Sequence, residues 1–125
     1  MTENELSKEI IGAAIEVHRH LGPGLLESAY EEALCYELEL RHIPYERQKY
    51  QSLIYKGKTL KTDYRIDLLV DGKVIVEIKA RQQINPIDKA QTLTYLRLGN
   101  FKLGLLINFH EPLLKDGITR IVNNL

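Results

Sequence analysis

Ile66-Asp67-Leu68-Leu69-Val70-Asp71-Gly72-Lys73-Val74-Ile75-Val76-Glu77-Ile78-Lys79-Ala80 reads as two apolar strands joined by a turn. Side chains alternate along a strand, so Val74, Val76, Ile78 and Ala80 share one face while Glu77 and Lys79 share the other. In the preceding run Ile66 and Leu68 take one face and Asp67 the opposite one. Asp71-Gly72 is the turn signal. A strict two-residue turn would set Val70 against Lys73 and Ile66 against Glu77, mixing apolar and charged faces, which is a costly register. A shift of one residue, through a three-residue loop or a glycine bulge, is expected to pair Asp67 with Ile75 and to place Asp67, Glu77 and Lys79 together.

Outward from this pair, the chain upstream to about Glu46 also patterns as strand, with a second turn at Lys56-Gly57-Lys58. That makes a three-strand meander. Before it, Thr2-Glu3-Asn4-Glu5 reads as a capping box, and Leu6, Ile10, Ala13, Val17 and Leu21 recur at helical spacing until Gly22-Pro23-Gly24. A second helix is expected from about Leu25 to Arg41, stopped by Ile43-Pro44. After the meander, Asn85-Pro86 suits an N-cap with proline at the first helical position, and Gly99 is expected to close that helix. Phe101 to Asn108 is a short apolar strand, and a weaker one follows near Ile118 to Val122. The order ααβββαβ(β) predicts an α/β, α+β-like fold: a mixed sheet of four to five strands flanked by helices.

The chain of 125 residues suits one domain spanning 1–125, and a domain of this size hides about two-thirds of its unfolded surface without help from disulfides or structural metal. The single Cys35 cannot pair within the chain, which points to a reducing, cytoplasmic setting. The first residues lack the order of a signal peptide, and no apolar run approaches the roughly 18 residues of a membrane span. Seventeen Lys and Arg balance seventeen Asp and Glu, but not evenly. Residues 1 to 46 hold ten acids against three bases, a net −7, and the remainder is +7. Arg47, Lys49, Lys56, Lys58, Lys61 and Arg65, opposed only by Asp63, form its densest stretch. It reads as a solvated edge-protecting hairpin or as a strip facing phosphates.

Two carboxylates and an ammonium on a half-buried sheet face could form an ion-pair network. One lysine cannot neutralise both acids, however, and neighbouring carboxylates raise each other's pKa, so burial favours a bound cation. All-oxygen ligands suit Mg²⁺ or Mn²⁺, whereas zinc calls for His and Cys at ligand spacing. His18, His20, His42 and His110 show no such spacing with Cys35 and read as surface or capping residues.

Asp67, nine residues, then Glu77-Ile78-Lys79 resembles the Asp and Glu-x-Lys signature of the PD-(D/E)XK nuclease superfamily. Gly24-Leu25-Leu26-Glu27-Ser28-Ala29-Tyr30 is similar to the motif that names its GxxExxY proteins, and Gln91-Thr92-Leu93-Thr94-Tyr95 is similar to the Gln-xxx-Tyr element of RecB-like members. Ile66 stands where the signature has proline. The resemblance implies a restriction-endonuclease-like core and a metal-dependent nuclease acting on nucleic acid, DNA in preference to RNA. It implies that Asp67, Glu77 and the Ile78 backbone carbonyl ligate Mg²⁺ or Mn²⁺, with Glu27 a third carboxylate, direct or through water. Lys79 would orient the attacking water and stabilise charge on the phosphate, and Gln91, Tyr95 and Tyr30 would support the site. The alternative is a catalytically silent nucleic-acid-binding or assembly protein with the same fold. A homodimer stays open.

Overall fold

The computed structural model describes residues 1–125. Helix α1 spans Glu3–Leu21 and α2 spans Glu27–Leu40. Strands β1 (Tyr45–Tyr55), β2 (Lys58–Val70) and β3 (Val74–Lys79) form the meander. Helix α3 (Pro86–Gly99), β4 (Leu103–Asn108), a 3₁₀ turn (Leu114–Gly117) and β5 (Ile118–Val122) complete the chain. The sheet runs in sequence order, β1 to β5, with every neighbouring pair antiparallel except β3 and β4. The parallel pair requires a crossover, and α3 supplies it.

Two cores sandwich the sheet. Leu6, Ile10, Ala13 and Val17 of α1 and Tyr30, Leu34 and Leu38 of α2 pack on Leu68, Val70, Val74, Val76, Ile78, Leu103, Leu105 and Ile107. The opposite face is thinner, with Leu96 of α3 packed on Ile66, Leu69 and Ile75. The capping box forms as expected, Glu5 N–H donating to Thr2 Oγ1 and Thr2 N–H to Glu5 Oε1. Leu21 departs from the expected stripe: it is 43% exposed, because α1 ends there and Gly22 turns the chain away at φ 70°. Helix α2 begins at Glu27, two residues later than expected, with Leu26 extended before it. At the end of α3 the left-handed residue is Asn100, φ 56°, and Gly99 is the last helical residue.

A three-residue loop, Asp71-Gly72-Lys73, joins β2 to β3, with Asp71 and Gly72 both at positive φ. The expected pairing of Asp67 with Ile75 does not form. Lengthening the loop by one residue sets Val74, not Lys73, across from Val70, so Leu69 faces Ile75 and Leu68 faces Val76. That is where the pairing ends. Beyond it, Glu77 Oε2 accepts the Asp67 N–H at 2.8 Å and Asp67 Oδ2 accepts the Ile78 N–H at 2.9 Å. Two side chains therefore replace the ladder where β2 and β3 part.

The expectation that Ile66 and Leu68 share a face also fails. Leu68 belongs to the core beneath α1 and α2, and Ile66 to the core beneath α3. Alternation breaks at Asp67, and on β1 the same level holds Gln48, a non-glycine residue at φ 55° between the pairs Arg47 with Leu68 and Lys49 with Ile66. Both strands turn over at this level.

Gly104 sits where α3 crosses β4. A Cβ there would lie 2.9 Å from Thr92 Cγ2 and 3.5 Å from Leu96, and Thr92 is fixed by its hydroxyl donating to the Asp88 carbonyl. Gly104→Ala is expected to overpack this seam and cost about 1–3 kcal/mol of stability, read by urea denaturation. An unchanged midpoint would show that α3 floats free of β4.

Candidate active site

The break between β2 and β3 opens a pocket of about 370 Å³ lined by Glu27, Tyr50, Arg65, Asp67, Glu77, Lys79, Gln91 and Tyr95. Six of these were expected from sequence. Asp67 comes from β2, Glu77 and Lys79 from β3, Glu27 from the first turn of α2, and Gln91 and Tyr95 from one face of α3. A smaller pocket adjoins it, lined by Glu27, Ser28, Glu31, Gln48, Arg65, Asp67 and Ile78. A larger cavity of about 460 Å³, between the end of α1 and the segment before the 3₁₀ turn, is mainly apolar in surface and holds no carboxylate. Size does not locate the chemistry here; charge does.

Glu77 is 4% exposed, and burial, followed by repulsion from Asp67, pushes its carboxyl up to about 8. Burial also raises the Asp67 carboxyl, against the lowering effect of the Ile78 N–H, and Glu31 adds repulsion. Arg65 Nη2 lies 4.0 Å from Asp67 Oδ1, a long and half-exposed contact. The pair is thus incompletely neutralised by the protein itself. The donor set is all oxygen, and each acid commits only one oxygen to a backbone N–H, leaving Asp67 Oδ1 and Glu77 Oε1 without a backbone donor. These residues fit a hard divalent cation. No three His, Cys, Asp or Glu side chains converge to ligand distance, so Glu27 shares the pocket without joining one coordination sphere.

Tyr30 is outside the pocket. Its ring stacks on Phe109 with centroids 4.5 Å apart, and its hydroxyl donates to the Gly22 carbonyl and accepts the Leu25 N–H at 3.1 Å. It staples the α1–α2 connection directly ahead of Glu27. Tyr30→Phe is expected to cost about 1 kcal/mol, read as a lower urea midpoint, by removing both hydrogen bonds that tie the Gly22 carbonyl and the Leu25 amide to the buried ring. No change would mean that water serves that connection equally well. Tyr95 lies at the site itself and stacks on Tyr64 at 4.8 Å. Burial, then Glu77, raises its hydroxyl pKa.

Several supporting residues were not legible in the sequence. Glu31, 6% exposed, accepts from Arg47 Nε at 2.7 Å and from Gln48 Nε2 at 2.7 and 2.9 Å, so Arg47 is no free member of a basic strip. Buried Asn108 bonds Arg81 N–H and carbonyl, and Arg81 pairs with Asp88 at 2.9 Å, orienting the turn that leads from Lys79 into α3. Tyr50 and Arg65 face each other across β1 and β2 at the rim. Arg65 was marked in the sequence only as one of the basic stretch, and Tyr50 only by strand alternation, which needs the register to be useful. His18 is buried rather than exposed, its Nε2 2.8 Å from the Glu111 carbonyl. Cys35 is buried in the main core, and burial pushes its thiol up to about 11, so it is inert.

The central strands of an α/β sandwich thus part around one buried acid, one partly buried acid and a lysine. The family model of the PD-(D/E)XK nuclease superfamily matches residues 4–121, and the chain belongs to that superfamily, whose nucleases generally use divalent metals. Among curated proteins none matches the sequence. The crystal structure of SSO0001 is similar in fold, with a TM-score of 0.51 and 22% identity over 76% of this chain. The match covers 48% of that protein, about half its length. No helix is long and apolar enough to cross a membrane.

Proposed function

We propose that residues 1–125 act as one nuclease domain of the GxxExxY group, cleaving phosphodiester bonds of nucleic acid, DNA in preference to RNA, with Mg²⁺ or Mn²⁺. The reading rests on Asp67, Glu77 and Lys79 meeting in one pocket with Glu27 opposite. Asp67, Glu77 and the Ile78 carbonyl would hold the ion, with Glu27 a third carboxylate beside them, direct or through water. The chemistry that a divalent ion supplies there is a lowered pKa for bound water and relief of charge on the phosphoryl oxygens.

The chain contributes the rest. Lys79, half-buried beside the acids, orients the attacking water and stabilises charge on a non-bridging oxygen. Gln91 and Tyr95 on α3 position the substrate backbone. Glu27, Asp67, Glu77, Lys79 and Arg65 sum to −1, so one divalent ion makes the pocket +1, the sign that holds a phosphodiester anion. The single buried Cys35 supports a cytoplasmic setting.

The test is a panel of labelled single- and double-stranded DNA and RNA incubated with protein and Mn²⁺, with Glu77→Ala as control. Cleavage lost in the control supports the reading. Intact strands throughout, or equal cleavage by the control, would overturn it.

A further inference from the structure

From Ile66 outward β2 pairs only with β1, so the outer hairpin projects past the end of β3 as an arm beside the active-site pocket. At its base, Arg47 is taken by Glu31 and Lys49 by Glu46. Lys56, Lys58 and Lys61 therefore carry the charge of its outer half, all exposed, with Asp63 the acid among them. Charge alone has a plain explanation, since lysines on an edge hairpin discourage strand pairing.

The apolar residues do not share that explanation. Tyr50, Ile54 and Tyr55 are 66%, 65% and 61% exposed on the same arm, which an edge built only to repel would not display. Tyr50 stands at the pocket rim opposite Arg65, and Tyr55 stands at the tip opposite Lys58, with Lys56 Nζ 5.5 Å from its ring centroid. Aromatic faces interleaved with ammonium groups match unpaired nucleotides, whose bases stack and whose phosphates seek cations. Bases inside a duplex offer no face to stack on.

We infer that the β1–β2 arm is a binding surface for single-stranded nucleic acid, leading an unpaired strand past Tyr50 into the pocket. Taking a nucleic acid as partner rests on the nuclease reading, but the arm can be tested without cleavage. Lys56, Lys58 and Lys61 meet phosphates, and Tyr55 and Tyr50 offer stacking faces at the outer and inner ends.

The experiment is fluorescence anisotropy of a labelled oligothymidylate in EDTA, over a salt series, using the parent, Tyr55→Ala and a Lys56→Ala/Lys58→Ala/Lys61→Ala variant. All four positions are exposed, and circular dichroism checks folding. Tyr55→Ala should weaken binding roughly 5- to 150-fold. The triple variant should flatten the slope of log affinity against log salt by about 2, and a matched duplex should bind more weakly than the single strand. Parent-like affinity and slope in both variants would overturn the assignment. So would sedimentation showing a parent dimer that Tyr55→Ala converts to monomer, since a second copy would then cover the arm. A parent that binds through the arm yet cuts nothing with Mn²⁺ refutes the nuclease reading and leaves this surface standing. A parent that cuts, with arm variants that bind unchanged, does the reverse.

Discussion

Replacing Lys79 with alanine is expected to lower kcat/KM for phosphodiester cleavage by roughly 100- to 1,000-fold, about 3 kcal/mol of transition-state stabilisation, with the fold intact. Lys79 ends β3, paired with Asn108 of β4, and its carbonyl accepts the Phe109 N–H at 2.8 Å, so the backbone that carries the ammonium is held on both sides of the turn. A preorganised cation next to developing phosphoryl charge is worth far more than the same charge in water. The side chain is half-buried and outside the apolar clusters, so its loss should spare stability. Initial rates on the best substrate of the panel, with thermal melts as the folding control, decide the matter. Parent-like rates would remove Lys79 from the mechanism.

Glu77→Gln is expected to weaken Mg²⁺ or Mn²⁺ binding by more than about tenfold, measured by calorimetry, and to remove most of the pH response of the metal-free protein. In the unfolded chain this carboxyl titrates near its ordinary value of 4.5, whereas in the fold burial and Asp67 raise it to about 8. Between those values the folded protein keeps a proton that the unfolded one has released. Raising the pH therefore draws the chain toward unfolding, by an amount on the order of a few kcal/mol across the window. Asp67, raised in the same sense, adds to the trend. Melting temperatures of the parent in EDTA should fall from about pH 5 to pH 8, and divalent ion should restore them at the upper end by favouring the charged acids. Glutamine cannot ionise, so the variant should lose most of that slope and most of the rescue. Equal slopes and equal metal affinity in parent and variant would place the ion elsewhere.

Periodicity carried most of the fold. The capping box, the α1 stripe from Leu6 to Val17, the β1–β2 turn, the N-terminus of α3 and the final strand depend on local spacing and local caps, and these stand where the sequence put them. Asp67, Glu77 and Lys79 were legible from strand alternation, whereas Glu27, Gln91 and Tyr95 were marked only by the resemblance to nuclease motifs; one pocket is lined by all six. Two expectations failed at the junction of β2 and β3. The expected three-residue loop forms, but a loop of that length moves the register the other way, setting Val70 against Val74 and leading Asp67 toward Glu77 instead of Ile75; the face of Ile66 differs because alternation breaks at Asp67, level with the left-handed Gln48 of β1.

Sequence alone determined which residues carry charge onto an otherwise apolar sheet, because alternation and turn chemistry act within a few residues. Only the tertiary structure decided what surrounds them: that Glu31 captures Arg47 and Gln48, that Arg65 and Tyr50 reach the rim, and that Tyr30 braces a loop instead of lining the pocket. Those relations join residues on different elements, and burial, which sets the pKa of Glu77, exists only once α2, β3 and α3 have closed around it.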